Sequence, residues 1–274
     1  MLEKKETYLL SILIGILAGS IGIVLLYALN FTAILKTLQI IEGANIILIV
    51  VVLRMSLLAM MAYIMFKQWF SQENQFFSDL PFLFGLFFLI LIFGKLLDIL
   101  YYFTYFTLDE ETVLVYIKIR QFVAISTLAP MLYLSIMMIL FFLTINEKIH
   151  KYNDTRERDI ISMKILFLIL IIESIAIILT PNPQVAGIIL PLFVIPSLII
   201  VVWIFYFSYK NQRLSSVHPL IVSFGFAAFL CSNIFRPLAQ FILGETAIFT
   251  IIVEIVDIIV FIVIFTGLII KVKY

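Results

Sequence analysis

Apolar residues along this chain come in long unbroken runs instead of the spaced stripes of water-facing elements. Eight runs are long enough to cross a bilayer: Tyr8–Leu29, Ile46–Phe66, Phe82–Tyr105, Phe122–Ile145, Met163–Thr180, Ile188–Tyr209, Leu220–Leu243 and Ile248–Ile270. A helix needs about 20 apolar residues to span the hydrocarbon core. The expected fold is therefore all-α, a polytopic transmembrane helix bundle of eight spans. The fifth run is the shortest and contains Glu173. The first follows Glu3-Lys4-Lys5-Glu6. It is too long for a signal-peptide core and no A-x-A-like cleavage site follows it, so it reads as a helix. Residues 1–44 are expected to form an N-terminal helix with its connection, and residues 45–274 a seven-helix bundle.

The polar breaks between the runs set an orientation. With eight spans, Lys4, Lys5, Lys67, Lys148, Lys151, Arg156, Arg158, Lys164, Lys210, Arg213, Lys271 and Lys273 all fall on one side. Only Lys36, Lys118 and Arg120 fall on the other. That asymmetry places both termini in the cytoplasm of a cell-membrane protein, and removing any one span would scatter the basic loops over both faces. The longest connection, Asn146–Ser162, mixes both signs, as a solvated loop or helix extension does, or a surface for a cytoplasmic partner. Asp109-Glu110-Glu111 reads as a solvated turn or helix start, where carboxylates complement the dipole, or as a cation-attracting mouth. Asn30-Phe31-Thr32 matches a glycosylation sequon hard against a helix end.

Composition agrees with burial in lipid. Hydrophobic residues are 64% of the 274 and charged residues 13%, against about 25% charged in soluble domains. A net charge of +1 gives no reason to expect nucleic acid as a partner. The single cysteine, Cys231, excludes a disulfide within the chain and a thiolate cluster. His150 and His218 both lie in connections, which argues against a membrane haem or an intramembrane zinc site. No H-E-x-x-H or G-x-S-x-G pattern occurs, and the last run has no central lysine for a retinal Schiff base. The expectation is a non-enzyme without cofactor or metal.

Charge inside the runs changes this picture. Arg54, Lys95, Asp98, Arg120, Glu173, Arg236, Glu254 and Asp257 fall within or at the edge of the spans, four of each sign. Ionised groups at membrane depth are costly unless paired, and are functional candidates by default. At 1.5 Å per residue, Arg236 lies roughly 12 Å below the Gly244 turn, Glu254 about 15 Å and Asp257 about 20 Å. Depth pairs Arg236 with Glu254 and leaves Asp257 to Arg54. Lys95 and Asp98, at i and i+3, can pair within one helix, and Asp98 with Arg120 between helices. Glu173 counts to the same half. Asn233, beside Cys231 and Ser232, adds an amide that serves as packing glue or as part of a site. Pro237 frees the carbonyl of Asn233, and Pro130, Pro191 and Pro196 interrupt other runs. Tyr101, Tyr102 and Tyr105 bring hydroxyls to the boundary, as an aromatic belt does. The layer reads equally as structural ion pairing and as a site for a small ligand or ion.

One stretch carries a likeness. Tyr116-Ile117-Lys118-Ile119-Arg120-Gln121-Phe122, then Leu128-Ala129-Pro130 and Phe141-Phe142, resembles the basic approach, helix-borne proline and aromatic exit of the seven-helix membrane sensor region that precedes many prokaryotic histidine kinases and cyclic-dinucleotide enzymes. Gly244-Glu245, Glu254 with Asp257, and Lys271 with Lys273 are similar to that region's short turn, acidic last helix and basic exit. The resemblance covers residues 45–273. The additional N-terminal helix, and an end at Tyr274 without an output domain, are departures from it. It implies a receptor-like protein that passes a signal to a separate cytoplasmic partner. Two other readings stand beside it. One is a transporter or channel subunit using the carboxylates as a cation or proton relay, against which the lack of an inverted repeat weighs. The other is a structural or assembly subunit whose charges fix helix register.

Overall fold

Every regular element in the computed structural model, which describes residues 2–40, 43–104, 107–145, 154–243 and 246–272, is an α-helix. In chain order these are α1 (Leu2–Leu29), α2 (Phe31–Ile40), α3 (Ala44–Phe70), α4 (Leu80–Thr104), α5 (Glu110–Ile145), α6 (Thr155–Ile178), α7 (Pro183–Lys210), α8 (Pro219–Leu243) and α9 (Ala247–Ile269). Eight are long and apolar enough to cross a membrane, and α2, at ten residues, is not. Tyr105, Lys148, His150, Lys151, Gly244, Glu245 and Lys273, and the side chains of Lys4, Lys5 and Pro237, lie outside the described residues.

Three helices begin earlier than the hydropathy pattern places them, for a local reason. Asp154 caps α6 by accepting from the Arg156 amide at 3.0 Å. Asn182 caps α7 by accepting from Val185, with Pro183 in the first turn. At α5 the Thr112 amide (3.0 Å) and hydroxyl (2.8 Å) both donate to Asp109. These bonds hold the exposed Asp109 carboxyl below the usual carboxylate range. Polar residues end a hydropathy window without ending a helix, so Glu110, Glu111, Lys118 and Arg120 are helical and Arg120 lies well inside α5.

Consecutive spanning helices run antiparallel, and contacts define two ends. Tyr8, Trp69, Phe77 and Phe82 meet at one, here the basal end, and the His218 amide donates to Gly267 O there at 2.7 Å. Asn30, Tyr116, Lys118, Ile178 and the start of α9 gather at the other, the apical end. Asn30 is buried, and its amide nitrogen donates to Leu26 O (2.7 Å) and the Tyr116 hydroxyl (2.6 Å), so the sequon is closed as an acceptor.

The bundle is apolar outside as well as inside. On α3 the buried positions 44, 47, 51, 54, 58, 61, 62, 65 and 69 step by threes and fours along one face, while Ile46, Ile49, Val52, Leu53 and Tyr63 point outward. That spacing is the inward stripe of a packed helix. The basal half of the bundle is an aromatic core. Phe205 stacks on Phe226 with rings 6.1 Å apart, and Phe84, Phe87, Phe88 and Phe261 close around them. The Trp69 indole donates to Phe76 O at 3.0 Å and to Asp79 at 3.1 Å, fixing the α3–α4 turn. Two small residues set the α8–α9 distance. A Cβ on Gly267 would stand 2.8 Å from the Val222 backbone nitrogen, and one on Gly225 would stand 3.0 Å from that of Ile264.

Candidate functional site

The inward stripe of α9 is Glu254, Asp257, Val260, Phe261, Ile264, Gly267 and Leu268. Two carboxylates therefore share the face that elsewhere carries only apolar or small side chains, because positions three apart stack on one side of a helix. On α3 the same logic turns Arg54 inward, between Val51 and Leu58. From the helix ends, all the charged residues of the layer lie about 9–15 Å below the apical end.

There they join into one chain of ion pairs. Arg54 Nη1 donates to Glu254 Oε2 at 2.8 Å and stands 2.8 Å from Asp257 Oδ2. Lys95 Nζ, from α4, donates to the other oxygen of Glu254. Arg236 Nη2, from α8, donates to Asp257 Oδ2 at 2.6 Å, and the Ser232 hydroxyl donates to Asp257 Oδ1 at 3.2 Å. Each α9 acid is thus held by two cations, and Arg54 is common to both. Beside this chain, Arg120 of α5 donates through Nε to Asp98 of α4, and its guanidinium lies over the Tyr101 ring at 5.3 Å. The Arg54 guanidinium in turn sits 5.2 Å from the Phe261 ring centre.

Two pairings differ from those that depth alone gives. Arg236 takes Asp257 and not Glu254. Side chains lean toward the N-terminus of their own helix. Arg236 on α8 therefore leans basally and Asp257 on α9 leans apically, which closes the one-turn gap between them. Lys95 reaches across to Glu254 instead of pairing with Asp98, whose carboxylate Arg120 occupies. Arg54 with Asp257 and Arg120 with Asp98 are the interhelical contacts that equal depth implies. Asn233 lines the layer, but its amide donates to Phe229 O of its own helix at 2.8 Å.

Glu173 stands apart from these pairs. It lies on α6, which packs on α5 and touches α7. Its side chain is buried, 3% exposed, and Oε2 has no partner. Leaving a buried polar group unsatisfied costs about 1–3 kcal/mol. Glu173→Leu is therefore expected to raise the thermal unfolding midpoint of the detergent-purified protein, and a fall would mean that this acid has a stabilising partner.

Ser232, which the sequence offers beside Cys231 and Asn233 as packing glue or part of a site, sits one helical turn before Arg236 on the same face and bonds to Asp257. Two small cavities flank the layer. One, about 130 Å³, is lined by Arg54, Lys95, Asp98, Arg120, Asn233 and Asp257 among others. The second, about 170 Å³, lies against Lys95, Asp98, Tyr101, Tyr102, Thr250 and Glu254. Arg236 lines both. At the basal end a vestibule of about 450 Å³ is bordered by Gln68, Gln72, Asp79, Arg158, Arg213 and Ser216. The aromatic core lies between the vestibule and the charge layer. Among the described residues no group of three or more His, Cys, Asp or Glu gathers as a metal site would. Comparison with protein-family models, with curated proteins and with solved structures finds no match.

Proposed function

We propose that the protein is a membrane transporter subunit in which Glu254 and Asp257 act as a proton relay. The observation that carries this reading is the continuous chain Lys95–Glu254–Arg54–Asp257–Arg236, drawn from four helices and set at membrane depth. A proton arriving on Glu254 would release Lys95 and Arg54. Because Arg54 also holds Asp257, the second acid would feel the change at once. Three cations already crowd these two acids, so a metal cation would be repelled where a proton, which neutralises an acid, would not.

The layout of cavities supports a carrier over an open channel. Cavities bordered by the charge layer lie on the apical side, a vestibule lies on the basal side, and Phe84, Phe205, Phe226 and Phe261 pack together in the core between them. A carrier has such a barrier and opens it in turn to each side. The basic residues around the vestibule make the basal end the cytoplasmic one on this reading, with both termini there. Vesicles containing the reconstituted protein and a pH-sensitive dye test it. An imposed gradient should drive proton flux, and Glu254→Gln or Asp257→Asn should lower it at least about tenfold. Unchanged flux in Glu254→Gln would end the relay idea.

A second reading is a sensor that signals to a cytoplasmic partner. It is favoured by the close approach of α8 and α9 at Gly225 and Gly267, which would make the hairpin move as one piece. On that reading Glu254→Gln alters a partner's response in vesicles that show no flux.

A further inference from the structure

The basal vestibule has a two-part lining. Its rim is polar, with Gln68, Arg213 and Ser216 exposed and Arg158 half-buried. Its floor is apolar, with Met65, Leu134 and Leu268 buried and Met137, Met138 and Phe142 completing it. We propose that this cavity binds a free organic anion with an apolar body, in kind a medium-chain carboxylate. The head would meet Arg158 and Arg213, and the chain would lie on the methionine floor. Charge sets the sign of the ligand. Among the described residues lining the cavity, Arg158 and Arg213 are the cations and Asp79 is the only acid. Asp79 is engaged, accepting from the Trp69 indole at 3.1 Å and the Phe76 amide at 2.9 Å. Asp159, next to Arg158 in the chain, does not line the cavity and accepts from the Tyr133 hydroxyl at 3.3 Å. Among the described residues neither guanidinium donates a hydrogen bond or enters an ion pair. The Arg158 guanidinium lies over the Phe141 ring at 5.0 Å, a contact that ties it to the cavity wall. Arginine keeps its charge, and its fork of donors matches a carboxylate.

The floor sets the rest of the ligand. A volume of about 450 Å³ falls in the range of small-molecule sites, about 300–1,000 Å³, which are mostly apolar with a few placed polar groups. An inorganic anion would leave the floor bare. Met65, Met137 and Met138 are flexible and polarisable, so they can fit apolar bodies of differing shape. The walls come from α3, α4, α5, α6 and α9, which suits a solute entering from the basal mouth better than a membrane lipid, whose tails lie along the outside of a bundle. On the relay reading this anion is the solute that the proton accompanies, but its binding does not depend on that reading.

The test uses the full chain in phosphatidylcholine nanodiscs, with radiolabelled octanoate in equilibrium dialysis and empty discs subtracted. Saturable binding is expected, and affinity should rise about fourfold for each CH₂ added from butanoate to octanoate. Octanol should not compete. Arg158→Gln should weaken binding at least about tenfold, as loss of a charged hydrogen bond does. Arg213→Gln should weaken it about threefold, because the exposed charge is screened by water. Arg213 has no described side-chain partner to lose, so that variant keeps its fold. The proposal is overturned if octanoate does not saturate, if affinity is flat with chain length, if octanol competes as well as octanoate, or if both arginine variants bind like the parent. It is also overturned if octanoate binding vanishes when phosphatidylglycerol replaces part of the phosphatidylcholine, which would assign the site to a lipid headgroup. Glu254→Gln, the variant that tests the relay, is expected to bind octanoate like the parent, so the two proposals fail separately.

Discussion

Replacing Arg54 with leucine is expected to cost about 3–5 kcal/mol of stability, the penalty for removing one partner of a buried pair. Arg54 is 6% exposed and, among the described residues, is the only cation in contact with both α9 acids. Without it, Glu254 keeps Lys95 and Asp257 keeps Arg236, but each loses one of two counter-charges while staying buried. Arg54→Lys retains the charge with one ammonium where a guanidinium reached two acids, so its loss should be smaller. Arg54→Leu combined with Asp257→Asn should recover part of the loss. It removes a charge of each sign, and Arg236 is exposed enough to the cavities to be solvated. Thermal and denaturant unfolding in detergent check the series. A loss under about 1 kcal/mol for Arg54→Leu would mean that the layer is not held by these ion pairs.

The second large effect is expected at Gly267. Alanine there gains about 0.5–1 kcal/mol of helix propensity. Against that, its Cβ would sit 2.8 Å from both the backbone nitrogen and a methyl of Val222, so α8 and α9 must separate. Overpacking of this kind costs about 1–3 kcal/mol, and close backbone approach is a main source of helix association in lipid. The net result for Gly267→Ala is a lower unfolding midpoint, and Gly267→Val should be worse. The same separation would strain the His218 amide bond to Gly267 O. Gly15, with nothing near its missing Cβ, is the control, and Gly15→Ala should leave the midpoint unchanged or raise it slightly. Equal midpoints for Gly267→Ala and Gly15→Ala would remove close helix approach as the explanation.

Much of the architecture is legible in the sequence because lipid exposure writes it in long apolar runs. The eight spanning helices follow from that alone. The short α2 does not, since ten residues carrying Lys36, Thr37 and Gln39 look like a connection. Its helicity comes from packing, with Ile34 buried beside Ile99, Leu100 and Phe103 of α4. Helix starts are less legible, because Asp109, Asp154 and Asn182 begin helices in polar sequence where a hydropathy window is already closed. In the charge layer, sequence gives depth but neither direction nor lean. Glu173 shares the depth and faces elsewhere, since α6 lies to the side of α5, away from the α9 stripe. Arg236 has the right direction and misses by one turn, because side chains on antiparallel helices lean opposite ways.

The contact between Arg54 and Phe261 has a mechanical consequence. Phe261 belongs to the aromatic core, the barrier of the proposed carrier, touching Phe87 and Phe229, and it also lies under the guanidinium that bridges the two acids. Such a contact is worth about 0.5–2 kcal/mol. An arginine that swings away from neutralised acids must also leave this ring. The same movement that discharges the layer would therefore unlatch the barrier below it, so one side chain would serve as both counter-ion and door bolt.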